Sequence, residues 1–150
     1  MRKIIFGVLA VLFIVTPVVA ADGVIDVLSA NNVEVTADKM ESILNKKGMT
    51  IFNRISHSQN AANIGIKLRK TELIIFGNPK VGSPLMECQQ SVAIDLPQKA
   101  LIWEDDKDQV RISYNDPRYL EKRHNINGCE ASIAKIEKAL AGITKSAATK

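Results

Sequence analysis

Apolar positions along the chain follow four spacings, and each predicts its own kind of element. Ile4 to Val15 is an unbroken apolar run. Gly23 to Ala30 (GVIDVLSA) alternates weakly, as a first strand does. From Thr36 the period lengthens. Met40, Ile43, Leu44 and Lys47 fall three and four apart, with Thr36 or Asp38 available to cap an amphipathic helix and Gly48 to stop it. Met49 to His57 returns to alternation, with Met49, Ile51 and Ile55 on one face and Thr50, Arg54 and Ser56 on the other. Phe52 breaks that pattern, so this strand reads as covered on both sides. Ser58 to Asn63 is a polar link with room for one helical turn.

Glu72 to Phe76 (ELIIF) is a short continuous apolar run, the mark of a central strand buried on both faces. It ends at the turn cluster Gly77-Asn78-Pro79. Ser83-Pro84 reads as an N-cap and first helical residue for a short helix over Leu85 to Gln90, because proline lacks a donor that this position leaves unpaired. Lys99 to Glu104 and Gln109 to Tyr114 flank the polar loop Asp105 to Asp108, as a hairpin does. Asp116-Pro117 caps a helix to about His124. After Gly128 comes a final helix whose stripe is Ile133, Ile136, Leu140 and Ile143. The order β-α-β-β-α-β-β-α-α predicts a single α+β domain: one mixed or antiparallel-rich sheet with helices packed mainly on one face. The domain spans residues 22–143, and 144–150 read as a flexible tail.

Composition adds compartment rather than chemistry. Hydrophobic residues make up 46% and charged residues 24%, an ordinary globular balance. The net charge of +4 falls by two if Arg2 and Lys3 are removed, and no dense basic stripe with interleaved aromatics points to nucleic acid. Met1-Arg2-Lys3, the apolar run, the break at Thr16-Pro17 and the small residues Val18-Val19-Ala20 follow the order of a signal peptide. Cleavage after Ala20 or Ala21 is expected, which makes residues 1–21 a leader and places the domain in the periplasm or outside the cell. An uncleaved leader would tether it to a membrane, since 18 mostly apolar residues approach the length needed to cross.

Several blocks, taken in order, are similar to one family. They are Ile55-Ser56-His57, Leu73 to Pro79 (LIIFGNP), Gly82 to Met86, Asp95-Leu96-Pro97, Leu101 to Glu104, Ser113 to Pro117 and Arg123-His124. Over Asn32 to about His124 the chain resembles the bacterial and archaeal family called domain of unknown function 302. The resemblance implies an α+β fold with an antiparallel-rich sheet, often as a homodimer, and carries no established activity. The family pattern commonly has aspartate before the histidine, where this chain has Ser56, which weakens any role needing a carboxylate beside His57.

Candidate chemistry is sparse. Cys88 and Cys129 stand 41 positions apart, so they form no C-x-x-C motif. A disulfide stapling the last helix is the favoured expectation, worth about 3–4 kcal/mol by chain entropy, with buried thiols or a redox role as alternatives. His57, Cys88, His124 and Cys129 form the weak alternative of a metal- or haem-linked redox set, though without zinc-knuckle spacing. Arg123 and His124 suit the carbonyls and dipole of a helix end. Gly77 to Ser83 has the G-x4-G spacing of a phosphate loop but lacks the following Lys and Ser/Thr, and Pro79 and Pro84 remove donors. Ser83 and Lys80 leave a weaker anion site possible there. Glu104, Asp105, Asp106 and Asp108 read as a solvated turn, and Trp103 as core. No serine stands in a recognisable triad signature. The expectation is a non-enzymatic module that binds a small ligand or an envelope protein, with no cofactor. Its candidate site residues are His57, Asn78, Lys80, Ser83, Tyr114, Asn115, Arg123 and His124.

Overall fold

A computed structural model describes residues 21–150; all but the last residue of the leader expected at residues 1–21 lies outside the described residues. Strands β1 (Val24–Leu28), β2 (Thr50–Ser56), β3 (Thr71–Gly77), β4 (Gln98–Glu104) and β5 (Val110–Asn115) form one sheet in the order β1-β5-β4-β3-β2. Every neighbouring pair is antiparallel, so the expected antiparallel-rich sheet is antiparallel throughout. Helices α1 (Val33–Lys46), α2 (His57–Ala62), α3 (Pro79–Cys88), α4 (Pro117–His124) and α5 (Glu130–Ala148) connect and close it, with a 3-10 turn at Gln90–Ile94. No described helix is long and apolar enough to cross a membrane.

Strand alternation decides what each face holds. Ile74 and Phe76 of β3, Ala100 and Ile102 of β4, and Val110, Ile112 and Tyr114 of β5 point to one face. There they meet Met40 and Leu44 of α1 and Ile133, Ile136, Leu140 and Ile143 of α5, whose three-and-four spacing supplies the opposing stripe. The other face carries Leu73, Ile75, Leu101, Trp103, Arg111 and Ser113. Leu73, Ile75 and Trp103 are only half-buried, so β3 is not buried on both faces and Trp103 is not core. In β2 the extra residue at Phe52 is a bulge between Ile51 and Asn53, which leaves its ring exposed.

Caps moved several helix starts from where spacing put them. Asn32 caps α1 by accepting the Val35 N–H at 2.9 Å, and Thr36 is buried inside the first turn, bonded to Ser29. Asn78 caps α3 through the Lys80 N–H, with Pro79 as the first residue. Ser83 is therefore mid-helix rather than a cap, and Pro84 is accommodated within it. The 144–150 tail is likewise not a tail. α5 continues to Ala148, burying Thr144, Ala147 and Ala148, and the Ala30 N–H donates to Ala148 O at 2.8 Å.

Candidate functional site

Between α3, α5 and the ends of β3 and β4 lies a cavity of about 380 Å³. Phe76, Val81, Met86, Leu96, Ile136 and Leu140 supply apolar wall. Asn78, Ser83, Gln98 and Lys135 are the polar side chains among its lining. Small-molecule sites are mostly apolar concavities of roughly 300–1,000 Å³ with a few polar groups, and this one has that composition. Its position follows from the sequence locally. The Asn78-Pro79 start turns α3 across the sheet end, and Leu96-Pro97 brings the chain back beneath it.

The sulfurs of Cys88 and Cys129 lie at disulfide distance, with Cα atoms 6.4 Å apart, joining the end of α3 to the head of α5. Both walls of the cavity are thus tied at one end. The pairing withdraws both thiols from the two-His, two-Cys metal set, which is not assembled. Among the described residues no three His, Cys, Asp or Glu side chains are placed to hold a metal.

The eight candidate residues fall in separate places. Asn78 and Ser83 line the cavity, whereas Lys80 is exposed on α3 outside its lining. Thr50 pairs with Gly77 and Ser56 with Glu72, so His57 and Asn78 sit at opposite ends of the β2–β3 pair, about 23 Å of strand apart. Tyr114 points into the core, where burial raises its phenol pKa, partly offset by the Thr144 hydroxyl and helped by the charges of Asp116 and Glu137. Asn115 ends β5 opposite Val24.

Arg123 and His124 sit in the last turn of α4, as expected, and their side-chain bonds go to Asp95. His124 Nε2 lies 2.6 Å from Asp95 Oδ2, and Arg123 reaches Asp95 Oδ1 at 3.2 Å. Ser91 Oγ stands 3.1 Å from His124 Nδ1. An ionised carboxylate only accepts, so Nε2 carries the proton and a neutral ring accepts the Ser91 hydroxyl. Serine, histidine and aspartate thus meet in a row that no spacing in the sequence announced. Ser91 is on the surface, however, and neither Ser91 nor His124 lines the cavity. The row latches the end of α4 to the turn before β4. Sequence reasoning also missed Asp105, which is buried rather than solvated and pairs with Arg111 at 2.7 Å.

An α+β domain with a five-stranded antiparallel sheet, helices on one face and an apolar cavity at the sheet end defines the class. The chain belongs to the family described as domain of unknown function DUF302, whose model matches residues 25–143. A crystal structure of an uncharacterized conserved DUF302 protein from Bacillus stearothermophilus shares the fold, with a TM-score of 0.76 at 19% identity. The match covers 85% of this chain and 99% of that one. Among curated relatives, the "Fluoride-specific ion channel FluC 1" of Brucella suis biovar 1 (strain 1330) is 38% identical over 112 residues, 75% of this chain and 44% of that protein. The "Fluoride-specific ion channel FluC 2" of Brucella melitensis biotype 1 is 38% identical over the same length, 41% of its own. The chain therefore spans less than half the length of the curated relatives it matches.

Proposed function

We propose that the chain is an exported, non-enzymatic binding module whose ligand is a small, largely apolar molecule held between α3 and α5. The observation that carries this is the cavity of about 380 Å³, walled by Val81, Met86, Leu96 and Ile136, with Asn78 and Ser83 among its polar groups. A cysteine pair at disulfide distance suits an oxidising compartment, and the leader-like residues 1–21 suit export to one. The partial match to longer relatives supports the modular part of this reading, because a stretch equivalent to this chain fills under half of each.

The test is titration with a neutral fluorescent probe such as N-phenyl-1-naphthylamine. Saturable one-to-one binding is expected, weakened at least about tenfold by Ala139→Phe, which places a ring in the cavity from an exposed α5 position. Binding that does not saturate, or that ignores the substitution in a normally folded variant, overturns the proposal. Export is tested separately by the mass of the protein in an envelope fraction, where the chain is expected to begin at Ala21 or Asp22.

A further inference from the structure

The sheet face turned away from α1 and α5 carries a second cavity, of about 510 Å³, with a different chemistry. Its lining includes three polar side chains that the fold has almost wholly buried: Asp105 at 5% exposure, Arg111 at 6% and Ser113 at 8%. Burying a guanidinium is costly unless its hydrogen bonds are met, so the partners of Arg111 decide what the cavity is for. Only Nε is used, donating to Asp105 Oδ2 at 2.7 Å. Among the described residues nothing accepts from the two terminal nitrogens. Among the described residues no fully buried side-chain nitrogen lacks a partner, so those two nitrogens are not sealed from solvent, and Arg111 lines the cavity.

We infer that this cavity is a second binding site, for a small carboxylic acid with a flat apolar body. The terminal nitrogens of Arg111 form the fork that a carboxylate fits with two parallel bonds. Trp103 supplies the surface for the body. Its indole N–H donates to Ser113 Oγ at 2.7 Å, and the Ser113 hydroxyl donates in turn to Asp26, so the ring is held in place before any ligand arrives. The carboxylates nearest the fork are already engaged. Asp105 accepts the Lys107 and Gln109 N–H groups, both at 2.9 Å, besides Arg111, and Asp26 accepts from Ser113. Arg69, Lys107 and Arg111 balance Asp26, Asp105 and Asp106 around the lining, so selection comes from the fork rather than from net charge.

Trp103 is the only tryptophan, which makes intrinsic fluorescence a direct report from this cavity. The full chain is titrated with benzoate, with neutral benzamide and with cationic benzamidine. Benzoate is expected to give a saturable change, and the other two to bind at least about tenfold more weakly. Arg111→Lys keeps the charge and loses the fork, and is expected to weaken benzoate about tenfold. That change also touches the hairpin, so Arg69→Ala at an exposed position gives a second variant, expected to weaken benzoate severalfold with an unchanged circular dichroism spectrum. No saturable change up to about 10 mM benzoate, equal responses to benzamide, or indifference to both variants overturns the inference. None of these outcomes bears on the apolar cavity, which lies on the other side of the sheet and contains no tryptophan.

Discussion

At the scale of single residues, Asp105 is held by what surrounds it. Burial on its own would raise the carboxyl pKa. The Arg111 side-chain bond, the backbone N–H groups of Gln109 and Lys107 and the Arg111 charge outweigh burial and hold it below the usual carboxylate range. A depressed folded pKa stabilises above the unfolded value, about 3.9 for aspartate, and that stability is lost as pH falls through the folded value. Asp105→Asn is therefore expected to lower the urea midpoint at pH 7. The gap from the wild type should narrow as pH drops from about 5 toward 2, because the wild type loses there what the variant never had. A gap that stays constant with pH would mean the carboxylate contributes shape and not charge. The same side chain shows what a sequence leaves unsaid. Four acidic residues around a hairpin look alike in a row, and only the register of β4 against β5 turns Arg111 toward one of them.

Elements were more legible than their boundaries. The periodic segments from the Met40–Leu44 helix to the Ile133–Ile143 stripe form the elements their spacing predicts, because burying an apolar face leaves few alternatives. The faces of β2 are the exception, since the bulge at Phe52 puts Ile51 opposite Phe76 but Ile55 opposite Leu73, on the other side of the sheet, and turns Arg54 to the helix side. Boundaries failed where a polar cap or a small residue decided. Asn32 and Asn78 compete with nearby Thr36 and Ser83 as caps, and geometry chose the asparagines. Spacing alone ends the last helix at Ile143 because the residues beyond are alanine, serine, threonine and lysine, yet Thr144 and Ala147–Ala148 continue its buried stripe. Removing 144–150 is expected to cost about 2–4 kcal/mol, counting the buried small side chains and the lost Ala30–Ala148 bond, and a denaturant midpoint checks it. The α3–α5 staple belongs to this scale too. Cys129→Ser should cost about 3–4 kcal/mol, and reductant should bring the wild type down to the same midpoint. A variant indifferent to reductant and equal to oxidised wild type would show the pair is not bridged in solution.

For the whole molecule, the pattern of strands and helices predicted one α+β layer pair correctly. It did not reveal how the strands are ordered, because pairing β1 with β5 joins residues almost ninety apart, and alternation carries no information about partners. The candidate site suffered for the same reason. Asn78 and Ser83 were found because one turn delivers both, whereas the opposing wall comes from α5, whose stripe reads only as core. The family resemblance implies a homodimer, and the fold offers a surface on which to argue one. Ile64, Ile66 and Leu68 are all exposed in the segment between α2 and β3. Fully burying such a side chain contributes about 1.5–3 kcal/mol, so three of them at one contact supply a substantial drive toward association. We expect sedimentation to give a mass near twice that of the chain, and Ile66→Asp with Leu68→Asp to return it to a monomer with an unchanged circular dichroism spectrum. A wild type that stays monomeric at high micromolar concentration would leave those side chains without a second copy to cover them. A dimer that survives both substitutions would move the interface elsewhere on the sheet or its helices.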